Sequence, residues 1–342
     1  MCQGRSSPRE VTTALLRRLP FDRLALGVLV YTLAVIAWGA FVRASGSGAG
    51  CADHWPLCNG EIVPRAPTTA MAIEFTHRVT SGLLLFLVAT LVLAAFGRFA
   101  RAHPVRRAAL AAAVFTGFEA AIGAVLVLLQ KVGQDASVGR AFLMGFHLAN
   151  TFFLLAALAC AWWWARGGAL PPLPRAPRLR AAFVLGLAGT LGVGAAGAVT
   201  ALGDTLFPAA SLAAGMAQDL SPTAHFLLRL RVIHPVLALL VAAYWIALAS
   251  RFASRPEPLP GRPAARDLAR AVLVLVCAQL AAGVLNLLLL APAVLQLLHL
   301  VLADVLWIAG LLFALEALAA EAPVQAACYN GARCVPIRSS PR

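Results

Sequence analysis

Four histidines stand inside or at the end of long apolar stretches of this sequence. They are His77, His147, His234 and His299. An ionisable ring at membrane depth is costly unless it is paired or ligated, so each of the four is a candidate functional residue. Two lie in each half of the chain, which predicts two sites that each hold a metal between a pair of imidazoles.

The composition indicates that these histidines are carried by membrane-spanning helices. Of the 342 residues, 61% are hydrophobic and 12% are charged, and the mean hydropathy is +0.83. These values exclude an ordinary soluble protein. Eight apolar runs have the length of about 20 residues that crosses a bilayer. The predicted spans are 24–42, 72–95, 107–130, 140–164, 180–200, 226–250, 268–291 and 293–318.

The positive residues gather in alternate connections, so we interpret the net charge of +14 as a topology signal. For the same reason we exclude a nucleic-acid partner. Of the 28 Lys and Arg, 21 lie in the N-terminal segment, in three connections between spans, or in the C-terminal tail. Because positive charge stays on the cytoplasmic side, we expect both termini inside. The loops near 43–71, 131–139, 201–225 and 291–292 then face outward. These features predict an integral plasma (inner) membrane protein with its sites toward the outer face.

The two halves of the chain repeat one another. A shift of 157 residues places His77 on His234, and a shift of 152 places His147 on His299. We therefore predict an all-α protein of eight transmembrane helices arranged as two pseudo-repeated four-helix bundles. The expected domains are a basic cytoplasmic arm (1–23), an N-terminal bundle (24–164), a Pro-rich cytoplasmic linker (165–179), a C-terminal bundle (180–318) and a cytoplasmic tail (319–342).

Histidines at matching depths on neighbouring helices could hold a planar macrocycle. In each bundle the two rings can face one another, and ligation by two histidines between helices is a common way to bind heme. A single histidine in a membrane helix is equally well explained by a bond to a backbone carbonyl, but four in duplicated positions favour ligation. A tetrahedral zinc site is disfavoured, because no other soft ligand recurs beside the rings.

Several charged residues near the outer face could assist such sites. Glu74 precedes His77 by three residues and shares its helix face, so it could orient the imidazole or act as an acid or base. It could equally be an ordinary acidic residue in a first helical turn. Four arginines could bind the carboxylates of a porphyrin or reach lipid headgroups. They are Arg43, Arg78, Arg229 and Arg231.

Two cysteines, Cys51 and Cys58, lie in the first external loop, where a disulfide can persist. Such a bond would close a short loop over the mouth of the first bundle. A structural role is favoured over a redox relay, although exposed bonds in short loops can be labile.

The motifs together resemble the heme A synthase family, of the CtaA/Cox15 type. The resemblance rests on GAFVRASGSGAGCADHWPLCNGEIVP followed by IEFTHR, and then on HLAN, GDTLFP, RLRVIHPVLA and LLHLVLADVLW in the same order. It covers about residues 24–318. Some members of the family carry a second cysteine pair in the loop that matches 201–225, and this sequence has none there. It also carries Glu119 where Gln is expected, as at Gln279.

The resemblance implies an enzyme, a heme-dependent oxidoreductase that oxidises a ring methyl of heme O to a formyl group. The product, heme A, serves cytochrome oxidase. His77 and His147 would hold the substrate, and His234 and His299 would ligate the iron of heme b. Glu74 would be the catalytic acidic residue.

The expected partners of such an enzyme are heme O and heme A, membrane lipid, heme O synthase and cytochrome oxidase assembly factors; a homo-oligomer stays open. Two other functions remain at this point. One is a bis-heme transmembrane electron carrier of the cytochrome b561 type, and the other is a heme transporter or chaperone.

Overall fold

The computed structural model describes residues 20–170, 176–254 and 263–320. In these ranges the chain forms nine α-helices and no named strand. Their bounds are α1 (Phe21–Ala44), α2 (Thr69–Arg98), α3 (Pro104–Leu128), α4 (Val138–Ala165), α5 (Pro177–Leu206), α6 (Leu212–Asp219), α7 (Phe226–Ala253), α8 (Pro263–Leu288) and α9 (Ala293–Ala320). Most of the predicted arm, the middle of the linker and most of the tail lie outside the described residues; the end of the arm, 21–23, belongs to α1.

All of these helices except the short α6 are long and apolar enough to cross a membrane. The all-α fold with eight candidate spans is therefore confirmed. Large apolar side chains point away from the protein, and Phe86 and Leu93 are 73% and 65% exposed. An apolar outer surface of this extent would be a liability in water and is suited to lipid.

Polar residues and prolines set where several helices begin. The hydroxyls of Thr68 and Ser137 accept hydrogen bonds from backbone N–H groups in the first turns of α2 and α4. His103 and His225, which the sequence places in connections, cap α3 and α7 through Nδ1. Side-chain acceptors at these positions satisfy N–H groups that have no partner within the helix.

The connection between α5 and α7 differs from the prediction. The predicted span ended at residue 200, whereas α5 continues to Leu206 and α6 forms within the expected loop. Arg43 of α1 donates hydrogen bonds to the carbonyl of Ala201 (2.7 Å) and to the hydroxyl of Thr205 (2.7 Å). These long-range bonds stabilise an end of α5 that its many small residues do not favour by themselves.

The helices pack as two rings of four. In the first half α1 contacts α2, α2 contacts α3, α3 contacts α4, and α4 returns to α1. In the second half α5, α7, α8 and α9 close a ring in the same order. Helices α1 and α4 face α5 and α9 across the boundary, so corresponding helices of the two halves meet there. This arrangement is consistent with the duplicated pattern in the sequence.

An aromatic contact joins the two bundles at their shared boundary. The ring of Trp307 on α9 stacks on Phe152 of α4, with centroids 4.9 Å apart, and its Nε1 donates to the Phe152 carbonyl at 2.6 Å. Trp307 belongs to the buried core of the first bundle although it comes from the second half of the chain. The halves therefore share one packed interior rather than touching only at their surfaces.

Candidate functional site

The second bundle brings His234 of α7 and His299 of α9 together. Their ring centroids are 6.4 Å apart, and the ring planes cross at 83°. Two imidazoles that bind one metal ion through bonds of about 2 Å place their centroids roughly 6 Å apart. The spacing between these two rings therefore fits a single metal ion held between them.

The hydrogen bonds of these rings decide which nitrogen is free to bind a metal. Nδ1 of His234 lies 3.2 Å from the Val193 carbonyl oxygen, which can only accept, so this nitrogen carries the proton. A bond of this kind leaves Nε2 as the ligating atom and fixes the ring orientation. On the other side, the amide N–H of Gln279 on α8 can donate to Nε2 of His299 (3.2 Å), so in that ring Nε2 is engaged and Nδ1 has no partner among the described residues.

Glycines on neighbouring helices make room for three of the four rings. A Cβ at Gly197 would lie 2.9 Å from Cε1 of His234, and one at Gly283 would lie 3.2 Å from Cε1 of His299. In the first bundle a Cβ at Gly39 would lie 2.9 Å from Cε1 of His77. Contacts this short force a neighbour to move, so the glycines allow the rings to lie directly against the helix backbones.

The first bundle brings His77 of α2 and His147 of α4 into mutual electrostatic range. His147 is supported by Glu119 of α3, whose Oε2 lies 2.5 Å from Nδ1 of the ring. The other oxygen of this carboxylate accepts from Asn150 (2.6 Å) and Thr151 (3.0 Å), both on α4. A carboxylate in this position orients a ligating imidazole and increases its basicity.

Glu74 is buried near the start of α2, and its hydrogen bonds among the described residues go to groups other than His77. Its oxygens accept from the Cys51 backbone N–H (2.9 Å) and from the guanidinium of Arg78 (2.5 Å). Arg78 in turn donates to the carbonyls of His54 and Leu57. The Glu74–Arg78 pair therefore connects the loop between α1 and α2 to α2, the helix that carries His77.

The loop between α1 and α2 is closed by a disulfide between Cys51 and Cys58, as predicted. Both cysteines are buried. Gly50, next to Cys51, packs so closely that a Cβ there would lie 2.6 Å from the Ala70 backbone. The loop is thus held against the start of α2.

The other three arginines also have acceptors within the protein. Arg43 reaches across the bundle boundary to α5 and donates to Gln296 of α9 at 2.8 Å. Arg231 pairs with Asp204 of α5 and Asp219 of α6. Arg229 donates to the Pro222 carbonyl. Their predicted contact with porphyrin carboxylates stays a prediction.

The four histidines lie at the same end of the two bundles. His77 and His234 each stand eight residues into their helices, and His147 and His299 stand nine and six residues into theirs. At about 1.5 Å per residue, all four lie within roughly 15 Å of that end. In the described ranges, no three His, Cys, Asp or Glu side chains converge as a ligand set for a metal ion.

Sequence patterns missed the residues that support the rings. Glu119 stood out in the sequence without an assignable role, because its contact with His147 joins two helices. The glycines and the Val193 carbonyl carry no local signal, since each acts through the packing of a neighbouring helix. One signal could have indicated these supporting residues: Glu119 and Gln279 occupy corresponding positions in the two halves of the chain.

Comparison with known proteins places this arrangement in a family. The COX15-CtaA family, described as cytochrome oxidase assembly protein, matches residues 22–311. The chain belongs to this family. The COX15-CtaA match covers all the candidate histidines and all eight candidate spans except the last part of α9, which confirms the resemblance seen in the sequence.

The relatives of this COX15-CtaA chain carry two names. A Thermus thermophilus protein named protoheme IX farnesyltransferase is 46% identical over 295 residues, which is 86% of this chain and 48% of that protein. A heme A synthase of Alkalihalophilus pseudofirmus is 31% identical over 39% of this chain and 41% of its own. A heme A synthase of Bacillus mycoides is 38% identical over 28% and 31%. This chain spans about half the length of the Thermus relative.

Proposed function

We propose that this protein is a heme A synthase, which oxidises a ring methyl of heme O to a formyl group to give heme A. The observation that carries the proposal is the pairing of His234 and His299 at 6.4 Å, in a chain of the COX15-CtaA family that repeats its histidines in both halves. Some relatives of the chain are named heme A synthase.

We assign heme b to the second bundle (180–318), with His234 and His299 as iron ligands. The imidazole spacing fits one metal ion, the Val193 carbonyl fixes the His234 tautomer, and Gly197 and Gly283 allow close approach. Heme bound there would supply a redox-active iron. The chain itself would orient the rings and keep bulk water from them.

We assign the substrate heme O to the first bundle (24–164), with His77 and His147 as ligands. His147 is the better supported of the two, because Glu119 contacts its Nδ1 and leaves Nε2 to bind iron. Nδ1 of His77 is buried and has no hydrogen-bond partner among the described residues. The described contacts therefore hold that ring by packing against Gly39, without a hydrogen bond to Nδ1.

We assign the catalytic acid–base role to Glu74. It lies one helical turn from His77, on the same face of α2, and it is buried, with only 4% of its surface exposed. Arg78 and the Cys51 N–H hold the carboxylate in place, so it is positioned before substrate binds. In this role it would hold or release a proton at the outer end of the first bundle, under the disulfide loop.

The Thermus relative supports a proposal for the source of the substrate. It carries a segment similar to this chain within a protein about twice as long, and its name states farnesyl transfer to protoheme. We infer that this chain takes its farnesylated heme from an enzyme of that kind, as a partner in the same membrane.

The Arg distribution supports both termini inside and the histidines toward the outer face.

Heme extraction from cells tests the proposal. The protein is expressed with and without a heme O source, and the extracted hemes are identified by mass. Formyl-bearing heme A that forms only when both are present supports the proposal. Protoheme alone, at two per chain, would instead favour an electron carrier of the cytochrome b561 type. A His77→Ala variant, which keeps the second bundle intact, serves as the matched control.

A further inference from the structure

Asp304 on α9 is a carboxylic acid buried in the interior between the two bundles. None of its surface is exposed, and neither carboxyl oxygen has a hydrogen-bond partner among the described residues. It stands eleven residues from Ala293, which at about 1.5 Å per residue places it roughly 17 Å into the helix, near the middle of a bilayer. An acidic residue at this depth is by default a functional candidate.

Asp304 faces the first bundle although it belongs to the second. Its neighbours Ala303, Trp307 and Ile308 pack against the core that α1 to α4 form. Glu119 of α3 is the charged group that acts on Asp304. The Glu119 carboxylate already contacts His147, Asn150 and Thr151. Asp304 has no hydrogen-bond partner among the described residues.

Among the described residues, no Lys or Arg side chain lies opposite Asp304 on the helices that pack around it. The ionisable groups nearest its depth are Glu119, the four histidines, Tyr31 and Cys277. The other charged side chains on the helices that contact α9 lie toward their ends. They are Asp22, Arg23, Arg43, Arg140, Arg178, Arg180, Asp204, Arg266, Asp267 and Arg270. A buried carboxylate without a cation or donor is strongly disfavoured, so Asp304 is expected to carry its proton when no positive charge lies nearby and to release it when a heme in the first bundle becomes more positive.

We propose that Asp304 is a proton-exchanging residue, which binds and releases a proton as the iron of a heme held by His77 and His147 changes oxidation state. A heme held by His77 and His147 would accept one electron from a one-electron donor, and Asp304 would then take one proton from the solvent to form an O–H bond. When the electron leaves, the bond breaks and the proton departs. The inference rests on the proposed heme binding. Asp304 stands five residues beyond His299 and acts on the first site through charge.

The position explains why the reaction would need such a group. Oxidation of a methyl group releases protons along with electrons, and a charge left in an apolar interior is costly. Asp304 lies at the boundary between the bundle proposed to hold the substrate and the bundle proposed to hold heme b. A carboxyl that takes up a proton there keeps the local charge nearly constant.

Redox-difference infrared spectroscopy of the purified, heme-loaded protein tests the proposal. We expect a carboxylic C=O band that changes between the oxidised and reduced states, shifts in heavy water, and is lost in Asp304→Asn. The pH dependence of the midpoint potential should become shallower in the same variant. Heme A formation should fall about tenfold or more, as for loss of a proton-transfer group.

Glu316 supplies the matched control. It is a second buried carboxyl on α9, but it accepts from Trp163 Nε1 (2.8 Å) and the Ala169 N–H (3.0 Å). Glu316→Gln should keep both the infrared band and the potential slope. Asp304→Asn should bind heme as tightly as the wild type and unfold at the same or a higher temperature, because it removes an unpaired buried acid.

Two results would overturn the proposal. One is a wild-type difference spectrum without an exchangeable carboxyl band, which needs no variant. The other is an Asp304→Asn spectrum and potential slope identical to the wild type. Heme-loaded protein that never forms heme A would contradict only the proposed function, because the infrared band and the pH dependence of the midpoint potential can still be measured on it. A folded protein that binds no heme contradicts both.

Discussion

Oε2 of Glu119 lies 2.5 Å from Nδ1 of His147, which joins α3 to α4 inside the first bundle. The second bundle has Gln279 beside His299 in the corresponding helices. Both contacts use a polar side chain to hold a histidine, but only the first adds a negative charge. The two sites therefore differ in charge although the helices that surround them are repeated.

Removal of the Glu119 carboxylate should weaken substrate binding. Glu119→Leu deprives His147, Asn150 and Thr151 of their shared acceptor, so we expect the affinity of the first bundle for heme O to fall about 10–100-fold. Spectroscopic titration of the purified protein measures this affinity. Glu119→Gln, which keeps an acceptor for Asn150, should lose less. Equal affinity in Glu119→Leu and the wild type would remove Glu119 from this role.

Loss of either ligand in the second bundle should remove heme b. His234→Ala and His299→Ala each leave one imidazole, so heme b per protein should fall at least about tenfold. Absorbance of the purified protein measures it. His225→Ala changes a helix cap outside the site and should keep full heme content. Unchanged spectra in the two ligand variants would overturn the assignment.

The glycines against the rings should tolerate no side chain. Gly197→Ala places a Cβ 2.9 Å from Cε1 of His234, and the displaced ring should lower heme b affinity by about tenfold. Gly192→Ala on the same helix meets nothing within 4 Å and is the control. Heme titration compares the two. Similar affinities would show that the close contact does not matter.

Glu74→Gln should stop catalysis without loss of heme b. The amide can still accept from the Cys51 N–H, but it cannot exchange a proton at the substrate, so heme A formation should fall about 100-fold or more. Heme extraction and protein quantification measure both effects. Glu61→Gln changes an exposed acid of the same loop and should be neutral. Full activity in Glu74→Gln would exclude the acid–base role.

The loop before α4 should depend on pH. Burial alone raises the pKa of Asp135, but hydrogen bonds from Ser137 and the charge of Lys131 outweigh it and lower the pKa below its usual value. A lowered pKa stabilises the folded loop above the unfolded value of about 3.9, and this stability is lost as the pH falls through the folded pKa. The protection of residues 131–137 against hydrogen exchange, measured relative to the intrinsic exchange rate at each pH, should therefore fall in acid. Asp135→Asn should remove this difference, and an identical acid response in that variant would contradict the assignment.

The sequence by itself determined the fold class and the candidate histidines. Apolar runs of about 20 residues can satisfy their backbone groups in lipid only as helices, so length and composition suffice to predict the spans. The cost of an imidazole in that setting singled out His77, His147, His234 and His299, and the repeat paired them.

Only the tertiary structure decided what surrounds those rings. Glu119 contacts His147 from another helix, Gly197 and Gly39 matter because a neighbouring ring packs on them, and Asp304 faces the opposite bundle. Arg43 extends α5 from 158 residues away in sequence. Such contacts depend on the rotation and spacing of packed helices, which a weak and nearly uniform apolar pattern along each span leaves undetermined.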